Sequence, residues 1–218
     1  MSVVLAGNAG VASEVEANTR ALRTTPRPID VGSLGSYSIA GTTGTVAAGA
    51  AANSLIFTFR WTSATNTALI RKVTTAMASL GTGFTAGVGS CGIIFARGFT
   101  VADTGGTTLT ITGNNAKRRT SFGTTTLQEA RISTTAALTA GTRTLDAQDL
   151  ALTMFAVSAA TNTVMLPTTA IWSPDFSGEW PMVLAQNEGF SVRYTVPATG
   201  TWQAQFGVEW SEVVNANF

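Results

Sequence analysis

The sequence predicts an all-β protein, an antiparallel two-sheet sandwich with an extended N-terminal arm, and three observations lead to this prediction. Thr is the commonest residue, at 37 of 218 positions, and its β-branched side chain favours strands and turns over helix interiors. Large apolar residues alternate with polar ones in several segments, which is the period of a half-buried strand. Turn residues recur roughly every 10 to 15 positions, and no long helix is indicated.

Residues 1–30 are predicted to form the arm, and residues 31–218 the sandwich domain. Pro26 and Pro28 favour extended backbone and oppose both helix and central strand. Residues 14–22 offer a short helix, but its apolar positions are too few to bury a face. We therefore expect the arm to become ordered on a partner or on a neighbouring copy.

The first half of the domain contains four predicted strands. Residues 55–61 place Leu55, Phe57, Phe59 and Trp61 on one face. Residues 68–80 fit either a helical face or a strand, and the strand is favoured because no residue caps a helix there. Residues 91–97 indicate a strand buried on both faces. Residues 109–112 indicate a further short strand after the turn at 103–106.

The second half ends in the clearest strand pattern of the chain. Apolar residues alternate over 190–196 and again over 202–210, on either side of the turn at 197–200. This pattern predicts a β-hairpin whose second strand needs another sheet to cover it. Before it come three further predictions, made on the segments 124–132 (a short helix), 150–157 (an apolar run) and 167–181 (a long loop rich in aromatic residues and proline).

The charge of the chain is low and unevenly distributed. Charged residues make up 11% of the chain and the net charge is +1, so no global field attracts nucleic acid or an anionic membrane. Residues 60–143 carry nine basic side chains against two acidic ones (+7), whereas residues 144–218 carry one basic against seven acidic (−6). Either the two stretches interleave in one sheet system, or a basic face of one copy meets an acidic face of the next.

Several enzyme classes lack the residues they require. The chain has no His, which removes the Ser-His-Asp triad, the His zinc ligand and the imidazole base. Cys91, the single cysteine, excludes an internal disulfide and is interpreted as a small core residue. The Gly-x-Gly-x-x-Gly match at 87–92 leads into a strand, where a phosphate-binding loop would open a helix, so its glycines indicate a bend or bulge. We expect no enzymatic activity and no cofactor or metal.

Two acidic pairs and one aromatic cluster leave a carbohydrate role open. Asp146 with Asp149, or Asp175 with Glu179, offers the two carboxylates that a glycosidase needs. The second pair lies among three aromatic residues that are able to stack on a sugar, or to plug an end of the sandwich or a seam between subunits: Trp172, Phe176 and Trp180. We favour the plug.

The densest basic patch is the segment 114–119. It contains Lys117, Arg118 and Arg119, with only Phe122 as a nearby aromatic residue. Nucleic-acid binding requires more cations interleaved with aromatic residues. A solvated loop or an ion-pairing contact with another protein is therefore favoured over nucleic acid.

Four segments resemble a group of virion proteins of tailed bacteriophages that are similar to jelly-roll head decoration (cement) proteins. They are residues 95–106, 109–120, 134–145 and 183–190, and the arm motif at 14–20 also resembles the start of these proteins. The resemblance implies a jelly-roll fold and a non-enzymatic role on the outer surface of the phage head. Its implied partners are the major capsid protein and other copies of the chain, as a dimer or trimer, with neither nucleic acid nor membrane. The implied location is the virion, after synthesis in the cytoplasm of the bacterial host.

The same resemblance suggests where contacts lie. The arm would occupy grooves between capsid subunits and clamp them. The candidate capsid or inter-subunit contacts are Arg20, Arg23, Pro26, Arg27, Pro28, Lys117, Arg118 and Arg119. The alternative function is a tail, baseplate or fibre component that binds a receptor or carbohydrate through the aromatic segment of Trp172, Phe176 and Trp180.

Overall fold

The computed structural model describes residues 4–6, 12–14, 34–47, 50, 52–174 and 181–215, the first two ranges by their backbone alone. The described residues confirm the all-β class. The strands are β1 (Val4–Ala6), β2 (Ala12–Glu14), β3 (Gly35–Thr42), β4 (Ser54–Trp61), β5 (Asn66–Ser79), β6 (Gly87–Arg97), β7 (Thr107–Thr108), β8 (Glu129–Ile132), β9 (Thr144–Leu145), β10 (Ala151–Val157), β11 (Val164–Trp172), β12 (Met182–Leu184), β13 (Glu188–Thr195) and β14 (Trp202–Val214).

Two antiparallel sheets form the sandwich. The five-stranded sheet has the order β11-β5-β14-β3, with β12 also paired to β5, and the seven-stranded sheet has the order β10-β6-β13-β4-β8-β7, with β9 also paired to β6. If the eight longest strands are numbered along the chain, the two sheets read 1-8-3-6 and 2-7-4-5. This is the connectivity of a jelly roll, so the predicted jelly-roll sandwich is confirmed.

The core between the sheets is built largely from aromatic rings. Trp210 of β14 stacks on Tyr37 of β3 at a ring-centroid distance of 5.5 Å and meets Phe59 of β4 edge-on at 5.3 Å. Phe206 stacks on Phe57 across the core at 5.2 Å. Such pairs add to the stabilisation from buried apolar area. The alternation read from the sequence therefore identifies the inward faces of β4 and β14 correctly.

The predicted C-terminal hairpin is wrong, although both of its strands exist. β13 pairs with β4 and β6, while β14 pairs with β3 and β5, so the two strands belong to opposite sheets. Their apolar faces meet across the core, where Tyr194 contacts Trp202 at 5.2 Å and Phe206 at 6.1 Å. The turn at 197–200 therefore carries the chain from one sheet to the other.

The predicted helix at 124–132 is also wrong. Residues 129–132 form β8, with alternating burial, and residues 124–128 have no regular structure. The backbone N–H of Thr126 donates to the buried carboxylate of Glu212 at 3.1 Å, and the N–H of Leu127 donates to the hydroxyl of Thr125. The backbone groups of 129–132 pair with β4, where Ala130 lies opposite Phe59, so they are not available for helical turns.

Two other predictions need correction. The short strand at 109–112 lies earlier, at 107–108, because Gly113 adopts a φ of 65° and the N–H of Asn115 bonds back to the carbonyl of Thr112, which makes a turn. The loop predicted at 167–181 is strand β11 as far as Trp172. The remaining predicted strands, at 55–61, 68–80 and 91–97, are confirmed within β4, β5 and β6.

Part of the segment 98–145, around Phe99 and Arg143, lies on the outer face of the seven-stranded sheet, whereas β7, β8 and β9 belong to the sheet itself and 114–119 lies beside β3. Ile94 and Ala96 face outward on β6 and are nevertheless buried. Within this segment, Arg143 and Asp103 form an ion pair whose side chains are 1% and 0% exposed. The Arg143 guanidinium also lies over the ring of Phe99, at 4.5 Å from its centroid. This buried ion pair therefore links two parts of the segment 98–145 to each other.

The predicted arm and the predicted helix at 14–22 lie mostly outside the described residues. Within 1–30 the structure describes only β1 and β2, which pair with each other in a two-stranded sheet of their own. No helix among the described residues is long and apolar enough to cross a membrane.

Candidate functional site

The basic segment 114–119 runs along the free edge of β3. Lys117 forms an isolated antiparallel bridge with Tyr37, and the N–H of Arg118 donates to the carbonyl of Ser36 at 3.1 Å. The N–H of Ser38 donates to the carbonyl of Ala116 at 2.8 Å, and Ala116 is buried. The loop is therefore fixed in place by backbone hydrogen bonds.

This fixed loop forms one wall of a polar groove on the outer face of the five-stranded sheet. The groove has a volume of about 350 Å³. The Arg118 guanidinium reaches across β3 to the Glu209 carboxylate at 3.1 Å, and Lys72 lies directly opposite Glu209 in the β5–β14 register. Two cations therefore lie near one carboxylate, which is paired with Arg118, and this leaves an excess positive charge in the groove.

A second groove continues along the same face and is less polar. It has a volume of about 400 Å³, is lined by Ala76, Ala78, Val164, Pro167 and Gln203, and shares Gln205 with the first groove. None of these side chains is charged. The outer face of the five-stranded sheet is thus a shallow, largely uncharged strip with one weakly basic end, a shape suited to contact with another protein rather than to enclosing a small molecule.

The candidate residues of the aromatic segment are only partly described. Trp172 lies near the end of β11, is 9% exposed, and its indole N–H donates to the carbonyl of Ile70 at 3.4 Å. Its ring packs in the sandwich core, and the plug that it is predicted to form with Phe176 and Trp180 stays a prediction. Phe176 and Trp180 lie outside the described residues, as do Arg20, Arg23, Pro26, Arg27 and Pro28 of the arm.

Asp146 and Asp149, the first of the two pairs that suggested a glycosidase, are each bound to an arginine. Asp146 accepts two hydrogen bonds from Arg97, at 2.9 and 3.1 Å, and Asp149 accepts two from Arg193, at 2.8 and 2.9 Å. Asp175 and Glu179 lie outside the described residues. Each described carboxylate thus anchors a loop to a strand by a forked hydrogen-bond pair.

Ion pairs also join the two oppositely charged stretches of the sequence. Arg97 binds Asp146 and Glu188, and Arg118 binds Glu209, so cations from 60–143 meet acids from 144–218 within one sandwich. This supports the interleaved reading of the charge distribution. The head-to-tail contact between copies stays a prediction.

The glycine-rich segment 87–92 lies inside strand β6. A Cβ at Gly89 would meet the ring of Phe155 at 2.5 Å, and one at Gly92 would meet the Asp149 carboxylate at 2.7 Å. These glycines therefore make room for side chains of the neighbouring β10 segment. The bend or bulge predicted for them is wrong, because the β6–β10 register is unbroken from 87 to 93.

Cys91 is fully buried in the core beside Tyr194, as the sequence predicts. The pKa of the thiol is raised to about 12, mainly by burial, while a hydrogen bond with Tyr194 lowers it and the negative charge of Asp149 raises it by smaller amounts. The thiolate is therefore scarce at any pH below that value.

We expect Cys91 in the folded protein to resist an aromatic disulfide reagent at pH 8 and to react fully in denaturant, because only the accessible thiolate attacks. The measurement is the release of the coloured thiol. A Val101→Cys variant is the control, since Val101 is 54% exposed and its cysteine should react at once. Rapid reaction of native Cys91 would show that this part of the core is not closed.

Some features of this surface escape sequence reasoning. The groove residues Lys72 and Glu209 are far apart in sequence and meet only through the β5–β14 register. The uncharged surface at β10, in contrast, can be predicted from the sequence, because residues 150–174 contain no charged side chain.

No three His, Cys, Asp or Glu side chains in the described part of the chain are grouped so as to hold a metal ion. Comparisons with protein families, with curated proteins and with solved structures found no match.

Proposed function

We propose that the chain is a non-enzymatic structural protein of a tailed-bacteriophage virion, which binds the outer surface of the head and stabilises it as a decoration protein. The observation that carries the proposal is the jelly-roll connectivity of the eight long strands, since this is the fold that the sequence resemblance to head decoration proteins implies. A fold alone does not determine function, so the composition of the surface is considered next.

The surface favours a fixed assembly over a freely diffusing protein. Charged residues make up 11% of the chain, where about 25% is usual for soluble domains. Of the two grooves on the outer face of the five-stranded sheet, only the first is lined by charged residues, namely Lys72, Arg118 and Glu209. A protein held at high local density in a shell needs little charge to stay dispersed, and its contact faces gain from small uncharged side chains.

The arm is proposed to provide the attachment. Residues 1–30 include Arg20, Arg23, Pro26, Arg27 and Pro28, and the two strands described in this region pair only with each other among the described residues. A segment of this kind loses conformational entropy when it becomes ordered in a capsid groove. Repetition of the contact around the shell compensates by raising the effective concentration of each attachment.

The test is binding to heads of the source phage that lack the protein, measured by co-sedimentation. The full chain should bind in saturable fashion, and deletion of residues 1–30 should weaken binding by more than about a hundredfold while the circular dichroism spectrum of the domain is retained. A triple variant with Arg20, Arg23 and Arg27 replaced by Gln separates the charge of the arm from its length.

Two outcomes would count against the proposal in different ways. Undiminished binding of the folded truncation would contradict the arm mechanism but not head binding. Failure of the full chain to bind heads at all would contradict the proposed function itself.

A further inference from the structure

The edges of the two sheets differ in how they are protected. A strand edge carries unpaired N–H and C=O groups, and proteins block such edges with proline, bulges, very short strands or a covering loop. The edge of β3 is covered by the bridge to Lys117, and β7 at another edge is only two residues long. The edge strand β11 contains Pro167 and three register irregularities.

The fourth edge, β10, has none of these protections in the described part of the chain. It is paired with β6 in unbroken register over all seven residues, Ala151–Val157. On its other side β11 lies nearby across a groove of about 370 Å³, but no strand pairs with that side among the described residues. It contains no proline and no charged residue. A regular, neutral edge without a hydrogen-bonded neighbour is a template for pairing with another strand.

The outward face of β10 is also apolar. Leu152 and Met154 are 58% and 68% exposed, and Leu150 before the strand and Val88 on β6 are exposed beside them. Ala156, opposite Val88, continues the same face. An exposed row of large apolar side chains next to an open edge combines the two features that strand pairing between chains uses: backbone hydrogen bonds and side-chain burial.

We propose that β10 of one copy pairs with β10 of a second copy, antiparallel and about a twofold axis, so that the seven-stranded sheets of two copies become one continuous sheet. In the proposed function, this pairing would be the interface between copies of the shell protein, and its biological role rests on that function. The pairing itself is measurable without any capsid.

Self-pairing suits this strand better than pairing with an unrelated partner. When the uncharged strand pairs with its own copy, no like charges face each other. The strand also has no charge that would attract a strand of opposite charge from another protein. A register centred on Met154 pairs all seven residues of the strand and places Leu152 opposite Ala156 of the second copy, large against small. Asp149, the nearest charge, would lie opposite Ala159 and is already bound to Arg193.

The register also keeps the two faces of the sheet consistent. In an antiparallel pair, residues directly opposite each other lie on the same face. Centring on Met154 therefore keeps Leu152, Met154 and Ala156 of both copies on the outer face, and leaves the buried Phe155 and Val157 pointing into the two cores.

The experiment measures the mass of the purified full chain by light scattering after size exclusion, over about 1 to 100 μM. The wild type should have twice the protomer mass of 22.5 kDa. Met154→Lys should weaken the dimer by more than about a hundredfold, because it places two lysines opposite each other at the axis. Val101→Lys is the matched control, an exposed valine outside β10, and should remain dimeric.

A second measurement does not depend on loss of folding. Met154→Cys should form a disulfide between copies under mild oxidation, because opposed residues of an antiparallel pair have Cα atoms within disulfide range. Val101→Cys should not cross-link, and the buried Cys91 should not interfere. A monomeric wild type across the range, or an oligomer that Met154→Lys leaves intact and Met154→Cys does not cross-link, would overturn the proposal while leaving head binding untouched.

Discussion

Replacing Arg143 with Met is expected to lower the free energy of unfolding by about 3–5 kcal/mol, because it leaves Asp103 as a buried charge without its cation. The Asp103 side chain is 0% exposed, and its remaining hydrogen bond in the structure comes from the N–H of Gly141 at 2.8 Å. The substitution also removes the guanidinium from the ring of Phe99. The measurement is urea unfolding, with a fall in Tm of roughly 6–20 °C as a second readout.

Two controls make this result specific to a buried pair. Arg97→Met breaks an ion pair whose arginine is 53% exposed, and should cost less than about 1 kcal/mol. The double variant Asp103→Leu with Arg143→Met should recover most of the loss, since both charges are then absent. Equal effects of Arg143→Met and Arg97→Met would contradict the buried pair.

Replacing Trp210 with Ala is expected to cost a similar amount, about 3–5 kcal/mol, through the cavity it leaves between the sheets. Trp210 is fully buried and contacts the rings of Tyr37 and Phe59, and its indole N–H donates to the Glu212 carboxylate at 3.3 Å. Removing the indole therefore also removes one donor from a buried acceptor that holds the 125–126 loop.

The comparison variant for Trp210→Ala is Val101→Ala, which should change stability by less than about 0.5 kcal/mol because the side chain is mostly exposed. Denaturant unfolding, followed by tryptophan fluorescence and by circular dichroism, measures both variants. A loss below about 1 kcal/mol for Trp210→Ala would mean that the aromatic layer between the sheets is not the main support of the sandwich.

The sequence allows the inward faces of strands to be predicted, but not their partners. The alternation in β13 and β14 identifies the residues that face the core, such as Val192 and Val208. Alternation has the same form whether two strands pair side by side or face each other across a core, and the turn at 197–200 is compatible with both. The hairpin prediction therefore had the correct faces and the wrong sheets.

Contacts between residues far apart in sequence explain why the helix predicted at 124–132 does not form. Residues 124–132 do not form the predicted helix, because 129–132 pair with β4 and the N–H of Thr126 donates to Glu212, 86 positions further along the chain. Nothing within a local window contains that acceptor. Contacts of this kind also position the candidate site, where Arg118 reaches Glu209 and Lys72 faces it only after the whole jelly roll has formed.

The open edge of β10 could in part have been inferred from the sequence. The absence of charge over 150–174 is visible in the residues, and a neutral strand of Leu, Thr, Met, Phe and Val is unusual for a sheet edge. Its position at the edge was not visible, because strand order depends on the long excursion at 98–145 that separates β6 from β10.

The proposed role as a decoration protein of a phage head is tested by the copy number of the chain in purified virions. Densitometry of a stained gel, calibrated with the purified proteins, compares the chain with the major capsid protein. A decoration protein should approach the capsid protein in molar amount. A few copies per particle would contradict this account and indicate a tail, baseplate or fibre component.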